Sequence, residues 1–247
     1  MPFAADTLYG FGLLLLRTTG LFITAPVLSA RTVPVRIRLA LALAASAAIF
    51  TGAGSPRATV PGNLFQLASG IAGETACGLL AGLAARWVLE AAAAAGHLIG
   101  LPMGLGFGSM IDPASGTESN VLGEMLLTLS QAGAVALGIH REAIGWLARS
   151  ARAFPPGNDL GLAALAARAV SQGTSAAALA VRLAFPVLAA VTLGHAVFGG
   201  IGRTAPQLNL GNIGFSLVVL AGGLALYLVA PAAAEVVARS AVALFED

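Results

Sequence analysis

An all-α, polytopic integral membrane protein of about six to seven hydrophobic helices is the fold class this sequence predicts. Three observations carry that reading. The 247 residues are 57% hydrophobic and only 10% charged, against about 25% charged in soluble domains. Mean hydropathy is +0.88. The apolar residues also come in runs of membrane length, joined by short polar connections that leave no room for a separate globular domain, so residues 1–247 are read as one membrane domain.

Taken in order, the runs are Leu8–Leu28, Leu39–Ala53, Leu64–Ala85, Trp87–Leu101, Val121–Ile139, Ala176–Ile201 and Ile213–Ala233, with Ala143–Phe154 a weaker amphipathic segment. The first lacks the basic flank and cleavage site of a signal peptide and is expected to be retained. Leu39–Ala53 and Trp87–Leu101 are short of the about 20 residues a crossing needs. Others carry Arg17, Glu74, Glu124, Gln131, Arg182 and His195. A charge at a helix centre costs about 2.5–3.5 kcal/mol on insertion scales, so these residues imply protein neighbours rather than lipid. If all seven runs cross, the arginine distribution puts the N-terminus outside and the C-terminus in the cytoplasm.

Two connections stand out. Gly96, Gly100, Gly104 and Gly108 recur every four residues, a smooth face for a neighbouring helix wherever the chain is helical. Pro102 interrupts that helix, and the stretch MGLGFGSMIDPASG, residues 103–116, follows it with an apolar Phe and Met tract, costly to leave uncovered, and an Asp112-Pro113 turn. The second connection, GGIGRTAPQLNLGNIGF, residues 199–215, sets Arg203, Gln207, Asn209 and Asn212 between two long apolar runs. Neutral amides and glycines at that depth need protein or water around them.

Enzyme constellations are absent. His97, His140 and His195 lack metal-ligand spacing, and the single cysteine, Cys77, provides neither a disulfide nor a cysteine cluster. Ser109 lacks the frame of a nucleophile elbow, and no phosphate-binding glycine loop occurs. The net charge of +2 is spread over dispersed arginines, which argues against a nucleic-acid surface. No catalytic residue, cofactor or metal is therefore expected.

The motifs together resemble the FliR family of flagellar export-apparatus proteins and its type III secretion relatives. Arg17, Pro26 and PVRIRLALALA (34–44) look like that family's first helix and basic turn. MGLGFGSMIDPASG looks like its Met-Gly…Asp-Pro…Gly loop, GIHREAIGWLARSARAFPPG (138–157) like its Gly-x-His…Ser…Phe-Pro-x-Gly pattern, and RTAPQLNLGNIGF (203–215) like its Arg-x-x-Pro-Gln-x-Asn…Gly-Phe signature. Ser216, the Gly211-Asn212 pair and His195 depart from the pattern.

What the resemblance implies is a non-enzymatic subunit of the flagellar protein export gate in the bacterial inner membrane and flagellar basal body. Its helices, some as hairpins, would pack into a hetero-oligomeric helical assembly. The partners implied are P-type and Q-type gate subunits, an FlhB-like switch protein and unfolded exported proteins. On this reading Met103, Phe107 and Met110 form the channel plug, and Gly104, Gly106, Gly108, Asp112, Pro113 and Gly116 shape its loop. Arg17, Arg203, Pro206, Gln207, Asn209 and Gly214 serve subunit packing. The alternatives are a virulence type III secretion subunit and a small-molecule or ion permease using the intramembrane charges.

Overall fold

The structure, a computed structural model, describes residues 2–27, 29, 33–52, 58–105, 121–158, 161–204 and 210–246. Every regular element among them is an α-helix: α1 Pro2–Thr24, α2 Val35–Gly52, α3 Leu64–Gly100, α4 Val121–Ala136, α5 Ile139–Ala153, α6 Leu162–Thr204 and α7 Leu210–Ala243. Five are long and apolar enough to cross a membrane, and α4 with α5, separated by a bend at Gly138, can form a sixth span. Gly138 takes the bend with a left-handed φ of 84°, a conformation that costs glycine nothing.

Two runs expected to be separate are one helix. Leu64–Ala85 and Trp87–Leu101 join through Arg86 in the 37-residue α3, because arginine is a good helix former even where it interrupts hydropathy. The seven crossings assumed for sidedness thus become five or six, and the sidedness argument loses its premise. α6 runs 43 residues through Pro186, and α7 runs through Pro231. Both prolines were natural places to break a helix, yet each is contained within one.

The chain divides into two compact units. The first comprises residues 1–87, 134–174 and 240–247, the second residues 88–133 and 175–239. In the first, α1 packs on α2, with Phe11 edge-on to Phe50 at 5.5 Å between ring centroids. α1 also lies against α3, where small residues let the backbones meet. A Cβ on Gly78 would overlap the Arg17 carbonyl, and one on Gly20 would come within 2.8 Å of the Thr75 carbonyl oxygen. Thr24 Oγ1 then donates to the Leu79 carbonyl across the contact at 3.0 Å. α5 closes this unit with a buried stripe of Ile139, Ala143, Leu147 and Ala151 at spacing four. In the second unit, α3 crosses α4 where Gly96 meets Gly123.

Candidate functional site

Two places gather the polar residues that the sequence singled out, one in each unit. In the first unit, the small-residue contact brings α1's Arg17 over α3's Glu74. Both are shut away from solvent, at 0% and 1% exposure. Arg17 Nε donates to Glu74 Oε2 at 2.6 Å, Nη1 to Ser150 Oγ at 2.9 Å, and Nη2 to the Phe154 carbonyl at 3.1 Å. The second carboxylate oxygen of Glu74 accepts the Gly157 N–H at 3.1 Å. Gly157 has a φ of 91°, and the chain reaches Glu74 through that left-handed turn. One ion pair thereby fastens α1, α3, α5 and the segment after α5. Its polar atoms are committed to one another, so it acts as a structural knot rather than a proton relay.

Arg17 was expected at a subunit surface. It lies wholly inside its own chain instead, because Glu74 one helix away supplies the counter-charge. The residues quoted from 138–157, namely Ser150, Phe154 and Gly157, converge on the same point. In the sequence Glu74 is one of six polar residues carried by apolar runs, with nothing to pair it with Arg17. The available signal was the spacing Gly70, Glu74, Gly78 and Gly82: three glycines and one acid on a single face of α3, each glycine within reach of α1 atoms.

In the second unit, α3 ends at Gly100 and the chain turns over residues 101–105. Gly104 takes a φ of 71°, and its N–H donates to the Leu101 carbonyl at 3.1 Å. His195 on α6 meets the Pro102 carbonyl at 3.0 Å, a contact that requires the proton on Nε2. Met103, expected in the plug, is only 2% exposed. Its thioether and Val191 both lie over Gly222 of α7, where a Cβ would come within 2.9 Å of the sulfur. Met103 therefore anchors the start of the loop in the helical core, a task suited to a flexible side chain.

Gly214, expected at a subunit contact, faces the Phe198 ring of α6 within the chain. Arg203 is exposed at the end of α6. Phe107, Met110, Gly106, Gly108, Asp112, Pro113 and Gly116 lie outside the described residues, as do Pro206, Gln207 and Asn209. Glu124 on α4 and Arg182 near the middle of α6 point outward, among exposed Val121, Met125, Val181 and Phe185. Among the described residues no three His, Cys, Asp or Glu side chains come together as a metal site.

Comparison with known proteins places these features in a family. Residues 8–243 match the family described as Bacterial export proteins, family 1. The flagellar biosynthetic protein FliR of Escherichia coli K12 is 31% identical over 212 residues, covering 84% of this chain and 79% of the relative. FliR of Bacillus subtilis 168 is 26% identical, covering 87% and 83%, and FliR of Caulobacter vibrioides is 26% identical, covering 88% and 87%.

Proposed function

Because this chain belongs to the FliR family within the bacterial export proteins, family 1, we propose that it is the gate subunit that lines and seals the flagellar export channel. It is a membrane-embedded component of the flagellar export apparatus. The observation that carries this assignment is the family match over residues 8–243, which spans both compact units. The matched relatives are flagellar proteins, and this favours the flagellar system over a virulence one. The gate reading places the chain in the bacterial inner membrane, beside P-type and Q-type subunits and an FlhB-like switch protein. It assigns the chain no chemistry of its own.

Outward-facing Glu124 and Arg182 support the view that protein covers part of this surface, since lipid tails do not solvate charges. The sealing role rests on the loop that begins at Met103. Met103 is held by Val191 and Gly222, and we assign Phe107 and Met110, further along the same sequence motif, to a hydrophobic ring. A ring of this kind excludes ions by dewetting and yields to an unfolded chain.

Two experiments test the reading. Tagged protein extracted in mild detergent is expected to bring down P-type and Q-type subunits in fixed ratio; recovery of the chain alone or as a homo-oligomer would overturn it. Phe107→Ala with Met110→Ala is expected to raise ion conductance through the assembled, resting complex. Unchanged conductance would remove those two side chains from the seal.

A further inference from the structure

The first unit contains a cavity that the gate function does not use. It has a volume of about 420 Å³ and lies between α3, α5, the start of α6 and the segment after α7, within the roughly 300–1,000 Å³ typical of ligand pockets. One part of its wall is apolar, with Leu80, Ala84, Leu165 and Ala169. Another part is polar. Arg168 and Gln172 project from successive turns of α6, and Arg168 is exposed. Among the described residues its guanidinium has no hydrogen bond or ion pair.

Across the cavity stands Trp146 of α5, edge-on to Phe245 with ring centroids 6.4 Å apart. A second guanidinium, that of Arg149, donates to the Phe245 carbonyl and brings another positive charge to the rim. Glu246 follows Phe245, and the Glu142 carboxylate and the Arg149 guanidinium both approach Gly145, so Arg149 has an acidic neighbour. The result is an amphipathic hollow in a membrane protein: hydrocarbon walls, an indole and, at Arg168, a guanidinium with no partner among the described residues.

We propose that this cavity holds one phospholipid with an anionic headgroup, its phosphate at Arg168 and Gln172 and the upper part of an acyl chain against Leu80, Ala84 and Leu165. Guanidinium suits phosphate because its donors form a planar fork. Tryptophan suits the boundary between headgroup and tail, being apolar in body and polar at one edge. The proposal rests on membrane residence alone and is independent of the gate reading.

The test uses the full chain with Trp87→Phe, so that Trp146 is the sole tryptophan, reconstituted in phosphatidylcholine vesicles. Either brominated phosphatidylglycerol or brominated phosphatidylcholine is added at equal, low mole fraction, and quenching of Trp146 is followed. Preferential quenching by the anionic lipid, by about fivefold for one interfacial cation, is the expected result. Arg168→Gln should abolish the preference and Arg168→Lys should retain most of it. Because Arg168 is exposed, neither change should disturb folding, which circular dichroism checks. Equal quenching by the two lipids, no quenching by either, or a preference indifferent to Arg168→Gln would each overturn the proposal. So would quenching that vanishes when tryptophan-free neighbouring export subunits are reconstituted alongside, because the cavity would then belong to a partner helix.

Discussion

Removing Arg17 alone would strand the Glu74 carboxylate in a site with almost no access to water, and removing Glu74 alone would strand the guanidinium. Breaking a buried pair in this way costs about 3–5 kcal/mol, whereas replacing both charges by apolar side chains is often close to neutral. Arg17→Met and Glu74→Leu are therefore each expected to lower the amount of folded protein in the membrane sharply. The double substitution is expected to recover most of it. Ser150→Ala, which removes one hydrogen bond to a charged group, should cost less, about 1.5–3 kcal/mol. Thermal unfolding of the full chain in nanodiscs separates these cases, and a double variant as damaged as the sum of the singles would refute the pairing. At this scale the sequence was half legible. Arg17 stood out as a charge inside an apolar run, and Ser150, Phe154 and Gly157 only through the family resemblance of residues 138–157, but what joins them is an acid 57 positions from Arg17, and no local pattern encodes a distance of that kind.

Helices were legible where hydropathy and backbone preference agree and misread where they part. A charge such as Arg86 breaks an apolar run without breaking a helix, so one 37-residue element was divided into two. The extent of α6 was underestimated for the same reason: residues 162–175, with Arg168, Ser171, Gln172 and Gly173, are too polar to join the run yet are helical. The glycine spacing was clearer. Gly96 does face a neighbouring helix, but Gly104 lies beyond the helix in a left-handed turn, so the four-residue stripe ends with α3. The more consequential stripe is the one through Gly70, Gly78 and Gly82. Gly78→Ala should force α1 and α3 apart, since the added methyl would overlap the Arg17 carbonyl and lie 2.9 Å from the Leu21 nitrogen. Overpacking of this kind costs about 1–3 kcal/mol. Gly12→Ala on α1, with nothing within 4 Å of the added methyl, should be neutral or slightly stabilising. Equal melting temperatures for the two variants would mean that the α1–α3 contact is not as close as described.

For the whole molecule, the length of the helices bears on what surrounds them. At about 1.5 Å per residue, the 43 residues of α6 extend roughly 65 Å, about twice the hydrocarbon thickness of a bilayer. Part of this helix must therefore meet something other than lipid tails. Arg182 lies near its midpoint, exposed, beside Phe185 at 67% exposure and Val181 at 55%. A guanidinium set among such neighbours is costly against acyl chains and favourable against a carboxylate on another subunit. The two surroundings predict opposite outcomes for Arg182→Leu. With lipid there, the substitution should stabilise the protein and leave its associations unchanged. With an acidic partner there, the substitution would leave the partner's charge desolvated and unmatched. Truncating one side of such a pair costs about 2–5 kcal/mol of binding, so co-purification of neighbouring export subunits should fall at least tenfold, while the variant chain alone remains as stable as the parent. Arg239→Leu is the control. Its guanidinium already has Glu235 at 2.5 Å on the same helix, and its loss should leave the assembly intact. Full recovery of partners with Arg182→Leu would give this face of α6 to lipid.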